Sequence, residues 1–408
     1  MRVLLSTIGS RGDVQLVVAL AVKLKELGQE ARICAPPDFR ESIETLGISF
    51  VPVGPEVRQT AVRPTATQAS SSPEQFRQLM EDTVAGQFEA ITAAAKGCDV
   101  LVAGMALQFA LHSVAELIGI PYVYAAWTPI TLPSPHHAPP TLSREQTPAD
   151  SAADNRVLWI EEAKRWNDRF GPAINACRAS AGLALVTDVR THIFTNRPWL
   201  AADPTLGPWP ETGDPNVFQT GAWILPDQRP LSPQLQAFLD AGEPPVYFGF
   251  SSMRVPQDLG EVMVKAARAL GRRAIVSRGW AGVALPDEGP DCLSIGEENL
   301  QALFRRVTAA VHHGGAGTTT IAAQAGAPQV VVPQIYDQHY WAGRIHHLGI
   351  GTAHAPGGPT ADSLTEALSR TLRPDVAVRA RSVAASIRTD GAEVAARRLI
   401  GEVSRSIL

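Results

Sequence analysis

Two short stretches of the chain hold residue types that are able to carry out chemistry together. The first is GSRGDVQ, residues 9–15, which follows an apolar run at the start of the chain. The helix dipole favours an aspartate in a first helical turn, by about 0.3–1 kcal/mol, and disfavours an arginine there. Local stability therefore does not account for Arg11 beside Asp13. We predict that Asp13 is a general base, which takes a proton from a hydroxyl group as the oxygen attacks.

The second stretch is VHHGGAGTTT, residues 311–320, in which an apolar strand runs through two histidines and three glycines into a helix. Glycines let a backbone approach a bulky anion closely, and the N–H groups at a helix start attract negative charge. A phosphate is predicted to bind here, with His313 donating a hydrogen bond to it and His312 facing the core. The alternative is a tight turn in which Thr318 caps the helix, but a cap needs no histidine before the glycines.

A dinucleotide-binding turn is a competing interpretation of the same glycines. GGAG resembles part of G-x-G-x-x-G, and an acid, Asp337, follows about 20 residues later. However, Thr320 stands at the third glycine position. Asp337 comes four residues after VVVP, whereas an acid that reaches a ribose stands at the strand end. The pattern therefore favours a phosphate site of another kind.

Asp337 and Gln338 follow the next predicted strand. In open α/β sheets, ligands bind beyond the carboxyl ends of the strands, so this pair borders the same crevice as the glycines. A carboxylate accepts two hydrogen bonds and an amide both donates and accepts, which suits the binding of vicinal hydroxyls. Asp337 as a simple helix cap remains an alternative.

The elements that must position these residues occur in two similar halves. Short β-branched runs alternate with helical patterns before and after a Pro- and Gly-rich stretch at 204–245, and the chain ends in helical patterns. Such alternation is typical of parallel sheets with helices on both faces. The predicted fold class is α/β, with two doubly wound Rossmann-like domains facing each other across a cleft. Asp13 and the glycine loop then lie on opposite walls, and Ser10 and Arg11 are placed to steady a leaving diphosphate.

The same patterns give approximate boundaries. The first domain is predicted to span 1–215, a linker 216–243 and the second domain 244–390. Early helices are predicted over 14–27 and 107–118.

Composition excludes several classes of protein. The net charge of -4 and the pI of about 6.2 argue against a nucleic-acid partner. The four cysteines are far apart and no run of about 18 apolar residues occurs, so neither a zinc site nor a membrane span is expected. No signal peptide is evident either, and a cytoplasmic protein is expected.

Two long irregular stretches, 55–75 and 129–153, are predicted to be lids or acceptor walls, because loops of that length in a compact domain are usually functional. His136 and His137 lie in the second stretch. No carboxylate stands near them at ligand spacing, which disfavours a metal site.

Over essentially its whole length the chain resembles the two-domain GT-B glycosyltransferases of antibiotic biosynthesis, and most of all those that glycosylate vancomycin-type glycopeptides. GSRGD followed by HHGGAGTT is the specific part of the resemblance, with support from CAPPD, VPVGP, SVAELIGIPYVY, LPSP, TGAWILPDQRPLS, SRGW, DQ and IRTDGAEVAAR. Sterol glucosyltransferases share GSRGD. In this family a last helix, here within 391–408, returns to the first domain.

The resemblance implies inverting transfer of a sugar, glucose or a related hexose, from a UDP- or TDP-sugar to a hydroxyl of a large aglycone. It implies that Asp13 is the base and that Asp337 and Gln338 bind sugar hydroxyls. The other positions that match the family's donor contacts are Ser252 at the phosphate, Arg278 and Trp280 at the nucleoside, and His313, Gly315, Gly317 and Thr318 at the diphosphate.

The chain departs from the family at two of these motifs. Ser251 stands where glycine is common and Leu16 where proline is common. No D-x-D pair is present to hold Mg²⁺ on a diphosphate, so transfer is predicted to need no metal and no cofactor. A monomer is expected.

Other functions remain open at this point. A polyketide, a macrolide or a sterol is an alternative acceptor, and a sugar-nucleotide epimerase uses the same architecture. An NAD-dependent oxidoreductase and an inactive helper protein are further rivals, although the helper is expected to have lost Asp13.

Overall fold

The computed structural model describes residues 1–61, 72–105, 107–140, 154–210 and 213–406. Within them the apolar runs form two separate parallel sheets, which helices cover. The predicted fold class, two doubly wound α/β domains facing across a cleft, is confirmed.

The first sheet has seven strands in the order β3-β2-β1-β4-β5-β6-β7, all parallel. Its strands are β1 Arg2–Thr7, β2 Glu30–Ala35, β3 Ser49–Pro52, β4 Val100–Gly104, β5 Tyr122–Ala126, β6 Trp199–Leu200 and β7 Phe218–Gln219. Successive side chains of a strand point to opposite faces, and Leu4 and Leu5 enter two different hydrophobic clusters. Both faces of this sheet are therefore buried.

The second sheet has six parallel strands in the order β10-β9-β8-β11-β12-β13. They are β8 Val246–Gly249, β9 Ala274–Ser277, β10 Cys292–Ile295, β11 Ala309–His312, β12 Gln329–Val331 and β13 Gly351–Ala353. Read from the first strand of each domain, the first six strands of both sheets follow the Rossmann order 3-2-1-4-5-6.

The helices of the first half are α1 Arg11–Glu26, α2 Arg40–Glu44, α3 Pro73–Ala94, α4 Leu111–Ile118, α5 Asn155–Ser180 and α6 Val189–Phe194. Those of the second half are α7 Pro233–Asp240, α8 Leu259–Ala269, α9 Leu300–Leu303, α10 Ala316–Gln324, α11 Gln338–His347, α12 Ala361–Thr371, α13 Pro374–Ala384 and α14 Gly391–Ser406. Short 3₁₀ turns lie at Pro37–Phe39, Arg58–Ala61, Pro129–Thr131 and Phe304–Arg306.

The order of the strands reverses direction at the centre of each sheet, between β1 and β4 and between β8 and β11. In the first sheet Thr7 pairs with Gly104, and in the second His312 pairs with Gly249. The segments that follow these strands therefore border the crevice where such folds bind ligands. Both motifs singled out in the sequence, GSRGD and HHGGAG, lie there.

The two halves share an extensive contact. The hydrophobic cluster on one face of the first sheet continues through Leu206 into Trp341 and Ile345 of α11. Arg344 of the same helix donates to the Leu206 carbonyl at 2.7 Å. The final helix, α14, packs on α1 of the first domain.

Two helices begin at positions other than the predicted ones, for local reasons. α1 begins at Arg11, three residues before the predicted 14, because the Ser10 N–H donates to the Asp13 carboxylate at 2.9 Å. α4 begins at Leu111 because the side chain of buried Gln87 bonds the backbone before it, accepting from Phe109 N–H at 3.0 Å. A side chain close in sequence thus sets the first boundary, and one distant in sequence sets the second.

Half of the residues in the two predicted irregular stretches lie outside the described residues, at 62–71 and 141–153. The cysteines are free thiols, of which Cys34, Cys98 and Cys292 are buried and Cys177 is half-buried. Within the described ranges, none of the helices combines the length and apolarity needed to cross a membrane.

Candidate active site

Asp13 lies in the first turn of α1, directly after the central strand β1. Its Oδ2 accepts the Ser10 N–H at 2.9 Å and lies 3.3 Å from the Ser10 hydroxyl. A Cβ on Gly9 would come within 2.3 Å of the same oxygen, so glycine is required there. Gly9 and Ser10 of GSRGD therefore form a turn that holds one carboxylate at the crevice.

The Asp13 carboxylate is half-buried. Burial raises its pKa, while hydrogen bonds from the backbone and side chain of Ser10 and the side chain of Trp127 lower it. A general base at neutral pH benefits from a pKa above the ordinary value near 4, provided that it stays ionised.

Arg11 points away from Asp13 and crosses to the second domain. Its Nη1 lies 3.0 Å from Glu297 Oε1, in the segment after β10. In this conformation its charge meets a carboxylate, and the sequence alone gave no sign of Glu297 as a partner.

In the loop between β11 and α10, the two adjacent histidines point in different directions and make different contacts. His312 is fully buried, and its Nδ1 accepts the Gly314 N–H at 3.1 Å while its Nε2 lies 2.8 Å from Gln329 Oε1. With Nδ1 as the acceptor, the proton sits on Nε2 and is donated to Gln329. His312 therefore holds the glycine turn from the core side, as predicted.

His313 faces the other way. Its ring lies over Gly315, where a Cβ would come within 2.7 Å of Nε2, and its buried Nδ1 has no hydrogen-bond partner among the described residues. Burial, followed by the proximity of His312, lowers its pKa to about 3. It is a neutral imidazole with one unused ring nitrogen beside the glycine turn.

The helix start beyond His313 is open. Gly315 is the N-cap of α10, and the first intrahelical donor is Thr319, whose N–H reaches the Gly315 carbonyl at 3.0 Å. The N–H groups of residues 316–318 therefore point out of the helix. Thr318 does not cap it, which removes the alternative explanation of the threonines. A Cβ at Gly317 would meet no atom within 4 Å, so this glycine faces open space.

Ser252, Arg278 and Trp280 lie on neighbouring loops of the second domain. Ser251 has a left-handed backbone with φ of +50°, and its carbonyl accepts the Trp280 N–H at 2.8 Å. Ser252 and Trp280 are half-buried and Arg278 is exposed. The Trp280 ring reaches the first domain, 6.3 Å from Phe39 between ring centroids.

Asp337 and Gln338 begin α11 and differ in their surroundings. Asp337 is half-buried and accepts the Trp341 N–H at 2.9 Å. Gln338 is buried, and its amide oxygen accepts the Gln334 N–H at 2.8 Å while its amide nitrogen lies 3.4 Å from Met253 Sδ. In this conformation Gln338 holds its own loop against the loop of Ser252, and Asp337 keeps the more accessible polar group.

Asp337 and Asp13 lie close enough to influence each other. Burial raises the pKa of Asp337 to about 7, and the nearby Asp13 carboxylate adds to that rise. Tyr336, just before it, has φ of +52° and its hydroxyl lies 3.1 Å from Thr131 Oγ1 in the first domain. The structure thus brings Asp13 and Asp337 together on opposite walls of one cleft.

Two clusters of metal-ligating groups lie elsewhere within the part of the chain that is described. They are His112, Glu116 and His192, and Asp287, Asp291 and Cys292. Each already contains a guanidinium: Arg178 Nη1 donates to Glu116 at 2.6 Å, and Arg268 bonds both aspartates. His137 packs edge-on against Trp159 with ring centroids 5.8 Å apart. We assign no metal to any of these groups.

Family models match both halves of the chain. Residues 3–134 match the glycosyltransferase family 28 N-terminal domain, and residues 263–403 match the C-terminal domain of the erythromycin biosynthesis protein CIII-like family. These ranges contain Asp13 and the β11–α10 loop respectively.

Relatives named as glycosyltransferases cover nearly the whole chain. The vancomycin aglycone glucosyltransferase of Amycolatopsis orientalis is 49% identical over 407 residues, which is 99% of this chain and 98% of that protein. The dTDP-epi-vancosaminyltransferase of the same organism is 45% identical over 391 residues, 94% of this chain and 93% of that protein.

The fold also matches a solved structure. The glycosyltransferase of kitacinnamycin aligns with a TM-score of 0.72 at 20% identity and covers 98% of both chains. Sequence and fold agree, and the chain belongs to the GT-B antibiotic glycosyltransferases, in the group that includes the vancomycin glycosyltransferases.

Proposed function

We propose that this glycosyltransferase moves a hexose from a UDP- or TDP-sugar to a hydroxyl of a glycopeptide-antibiotic aglycone, with inversion at the anomeric carbon. The observation that carries the proposal is the pairing of Asp13 and Asp337 across one cleft. One wall then offers a base for the acceptor, and the other offers polar groups for the donor.

The donor's diphosphate fits the start of α10. Its charge would meet the outward N–H groups of residues 316–318, the neutral ring of His313 and the hydroxyl of Ser252. Gly315 and Gly317 allow the phosphate to approach the backbone, and Thr318 adds a hydroxyl at the same turn. Arg278 and Trp280 are the proposed contacts of the nucleoside.

The sugar is proposed to lie against Asp337, whose carboxylate accepts hydrogen bonds from ring hydroxyls. The support for glucose or a related hexose is the relative named as a glucosyltransferase and the intact DQ pair. A second relative is named for a dTDP-linked donor, so both UDP- and TDP-sugars belong in a donor screen.

In the proposed reaction, Asp13 takes the proton of the acceptor hydroxyl as its oxygen attacks the anomeric carbon. The bond between that carbon and the diphosphate oxygen breaks, and the electron pair leaves with the nucleoside diphosphate. Donors aimed at the developing charge stabilise it in the transition state. Attack from the face opposite the leaving group inverts the configuration.

Transfer is proposed to need no metal, because the chain has no D-x-D pair and the α10 start supplies the donors. Turnover should survive EDTA at full rate. Loss of activity with EDTA that Mg²⁺ restores would contradict this scheme.

The decisive variant is Asp13→Asn. We expect turnover to fall by about 10²–10⁴-fold, the usual contribution of a general base, while binding of the nucleoside diphosphate stays unchanged. The matched control is His313→Ala, which should weaken nucleoside diphosphate binding by roughly tenfold or more, since a hydrogen bond to a charged group is lost. A near-normal rate for Asp13→Asn would rule out the assigned base.

The identities of the acceptor and of the product are tested by binding and product analysis. A thermal-shift panel of UDP, TDP and candidate aglycones, followed by mass spectrometry and anomeric NMR of the product, tests sugar, acceptor and inversion. A glycosylated polyketide, macrolide or sterol would replace the glycopeptide assignment, and an epimerised nucleotide sugar without acceptor would replace transfer. We propose that the enzyme acts as a monomer, since one chain supplies both walls.

A further inference from the structure

Trp127 is a buried indole at the carboxyl edge of the first sheet. It follows β5 directly and is 2% exposed. Its Nε1 has no hydrogen-bond partner of normal geometry among the described residues. A buried N–H without a partner is costly and therefore points to a partner that the bound state supplies or tightens.

The ring has little freedom. A Cβ at Gly104 of β4 would lie 2.7 Å from Trp127 Cζ2 and 3.1 Å from Val17 of α1, so only glycine lets the indole fit there. On another side the ring packs edge-on against Trp223, with centroids 5.2 Å apart. Trp223 is itself tied by its N–H to Thr220 Oγ1 at 3.0 Å. The contacts with β4 on one side and with Trp223 on another fix the direction of the Trp127 N–H.

The Asp13 carboxylate is the group on which this N–H acts. The Trp127 side chain lowers the pKa of Asp13, as Ser10 does from the other side. Burial raises the pKa of Asp13. The Asp337 carboxylate at the start of α11 lies near enough for Asp13 to raise the pKa of Asp337, whereas the nearby Arg11 pairs with Glu297. Hydrogen bonds in an unliganded active site are often long and tighten when substrates bind.

We propose that Trp127 is a positioning residue for the base: its indole N–H donates to the Asp13 carboxylate and holds it oriented toward the acceptor hydroxyl. This inference rests on the proposed role of Asp13. The indole supplies a rigid donor at a position where water would otherwise compete, and it does not touch the reacting atoms.

The test is the pH profile of kcat/KM for Trp127→Phe, which keeps an aromatic ring but removes the N–H. Activity needs ionised Asp13 and is lost as pH falls through the pKa of that carboxyl. Without the donor, the acid limb should move to higher pH by about one unit, with roughly tenfold lower kcat/KM on that limb, because a hydrogen bond to the charged form is lost. The plateau above it should also fall, because the ionised carboxylate is no longer held toward the acceptor hydroxyl.

The matched control is Trp223→Phe, which removes the neighbouring indole, whose N–H bonds Thr220. Its acid limb should stay where it is in the parent enzyme. An unmoved limb in Trp127→Phe, or an equal shift in both variants, overturns the positioning role. If one of these outcomes occurs while Asp13→Asn abolishes turnover in the same assay, only the role of Trp127 is overturned and the assignment of Asp13 as the base stands.

A second measurement does not depend on the folding of Trp127→Phe. In the full chain with ¹⁵N-labelled tryptophan, one of eight indole N–H signals should titrate with Asp13 and stop titrating in Asp13→Asn. The signal of Trp341, bonded to Asp337 at 2.9 Å, should titrate in both proteins and serves as the internal reference. Identical titration of all indoles in both proteins overturns the inference.

Discussion

At the scale of single residues, the site rests on carboxylates kept in unfavourable surroundings. Asp337 has its pKa raised to about 7, first by burial and then by Asp13. In the unfolded chain the ordinary value is near 4. Between these values the folded protein holds a proton that the unfolded chain has released, so this group's stabilising contribution is complete below about pH 4 and lost as pH rises through 7.

Asp337→Asn should therefore change stability in a pH-dependent way. Because the amide cannot ionise, we expect the free energy of unfolding of the variant to rise relative to that of the parent protein between pH 5 and pH 8, by roughly 2–3 kcal/mol. Urea unfolding of both proteins at the two pH values gives the difference. A difference that is the same at pH 5 and pH 8 would mean that Asp337 is not titrating in this range.

Ser251 carries strain where the family commonly has glycine. Its φ of +50° lies in the left-handed region, which costs a residue with a side chain about 1–2 kcal/mol. Ser251→Gly should stabilise the protein by about 0.5 kcal/mol after the greater freedom of glycine in the unfolded chain is deducted. Ser252→Gly is the control and should destabilise slightly. Thermal unfolding of the two variants makes the comparison. An equal loss of stability in both variants would contradict backbone strain at Ser251.

At this scale, the location of a side chain could be predicted from the sequence where a motif lies at the end of a strand. His312 could be assigned to the core and His313 to the turn because strand alternation separates neighbours. Trp127 and Glu297 were missed, since each meets its partner, Asp13 or Arg11, only through the tertiary fold. The position of Trp127 directly after an apolar strand was the available signal.

At the scale of elements, close backbone packing decides which residues are tolerated. Gly391 begins α14, and a Cβ there would lie 2.4 Å from the Ala222 carbonyl oxygen and from Gly221 C. Gly401 lies in the middle of the same helix, and a Cβ there meets only Arg405 Nη2 at 4.0 Å. The two glycines of one helix therefore differ in what they allow.

We expect Gly391→Ala to destabilise the protein by about 2 kcal/mol or more, because backbone atoms must move. Gly401→Ala should stabilise it by about 0.5–1 kcal/mol, the helix-propensity difference. Chemical denaturation of the two variants makes the comparison. Equal effects of the same sign would show that α14 is not packed against Gly221.

The types of the elements followed from hydrophobic periodicity, but some boundaries did not. The start of α4 depends on Gln87, about 20 residues earlier, and no local pattern indicates that contact. The helices Pro73–Ala94 and Asn155–Ser180 were not singled out, because each begins within or directly after a Pro- and Ser-containing stretch that was interpreted as irregular.

At the scale of the whole molecule, the two domains are packed as one unit. Trp341 lies against Gly207, where a Cβ would come within 2.9 Å of its ring, and Arg344 bonds the Leu206 carbonyl. Asp203 of the first domain accepts the Arg388 N–H at 2.8 Å. Apolar and polar contacts thus join the domains along the side of α11.

Calorimetry should therefore show a single cooperative unfolding transition. A nucleoside diphosphate, whose proposed contacts lie mostly in the second domain, should raise the temperature of that entire transition. Two transitions, of which the ligand moves only one, would show that the domains unfold independently.

The two-domain architecture was predictable because strand and helix patterns repeat on both sides of 204–245. The interface was not, since its residues look like ordinary core positions in the sequence. Whether a tryptophan such as Trp341 covers its own domain or the neighbouring one is decided by the relative placement of two sheets.

The contact between Gly221 and Gly391 has a mechanical consequence. The chain passes from the first domain to the second after the segment of Gly221 and comes back at Gly391, so both connections leave the first domain from one point. The contacts along α11 join the two domains at a different place. Widening the cleft for a large acceptor by rotation about the point at Gly221 and Gly391 would therefore separate the α11 contacts, while the two connections themselves would move little.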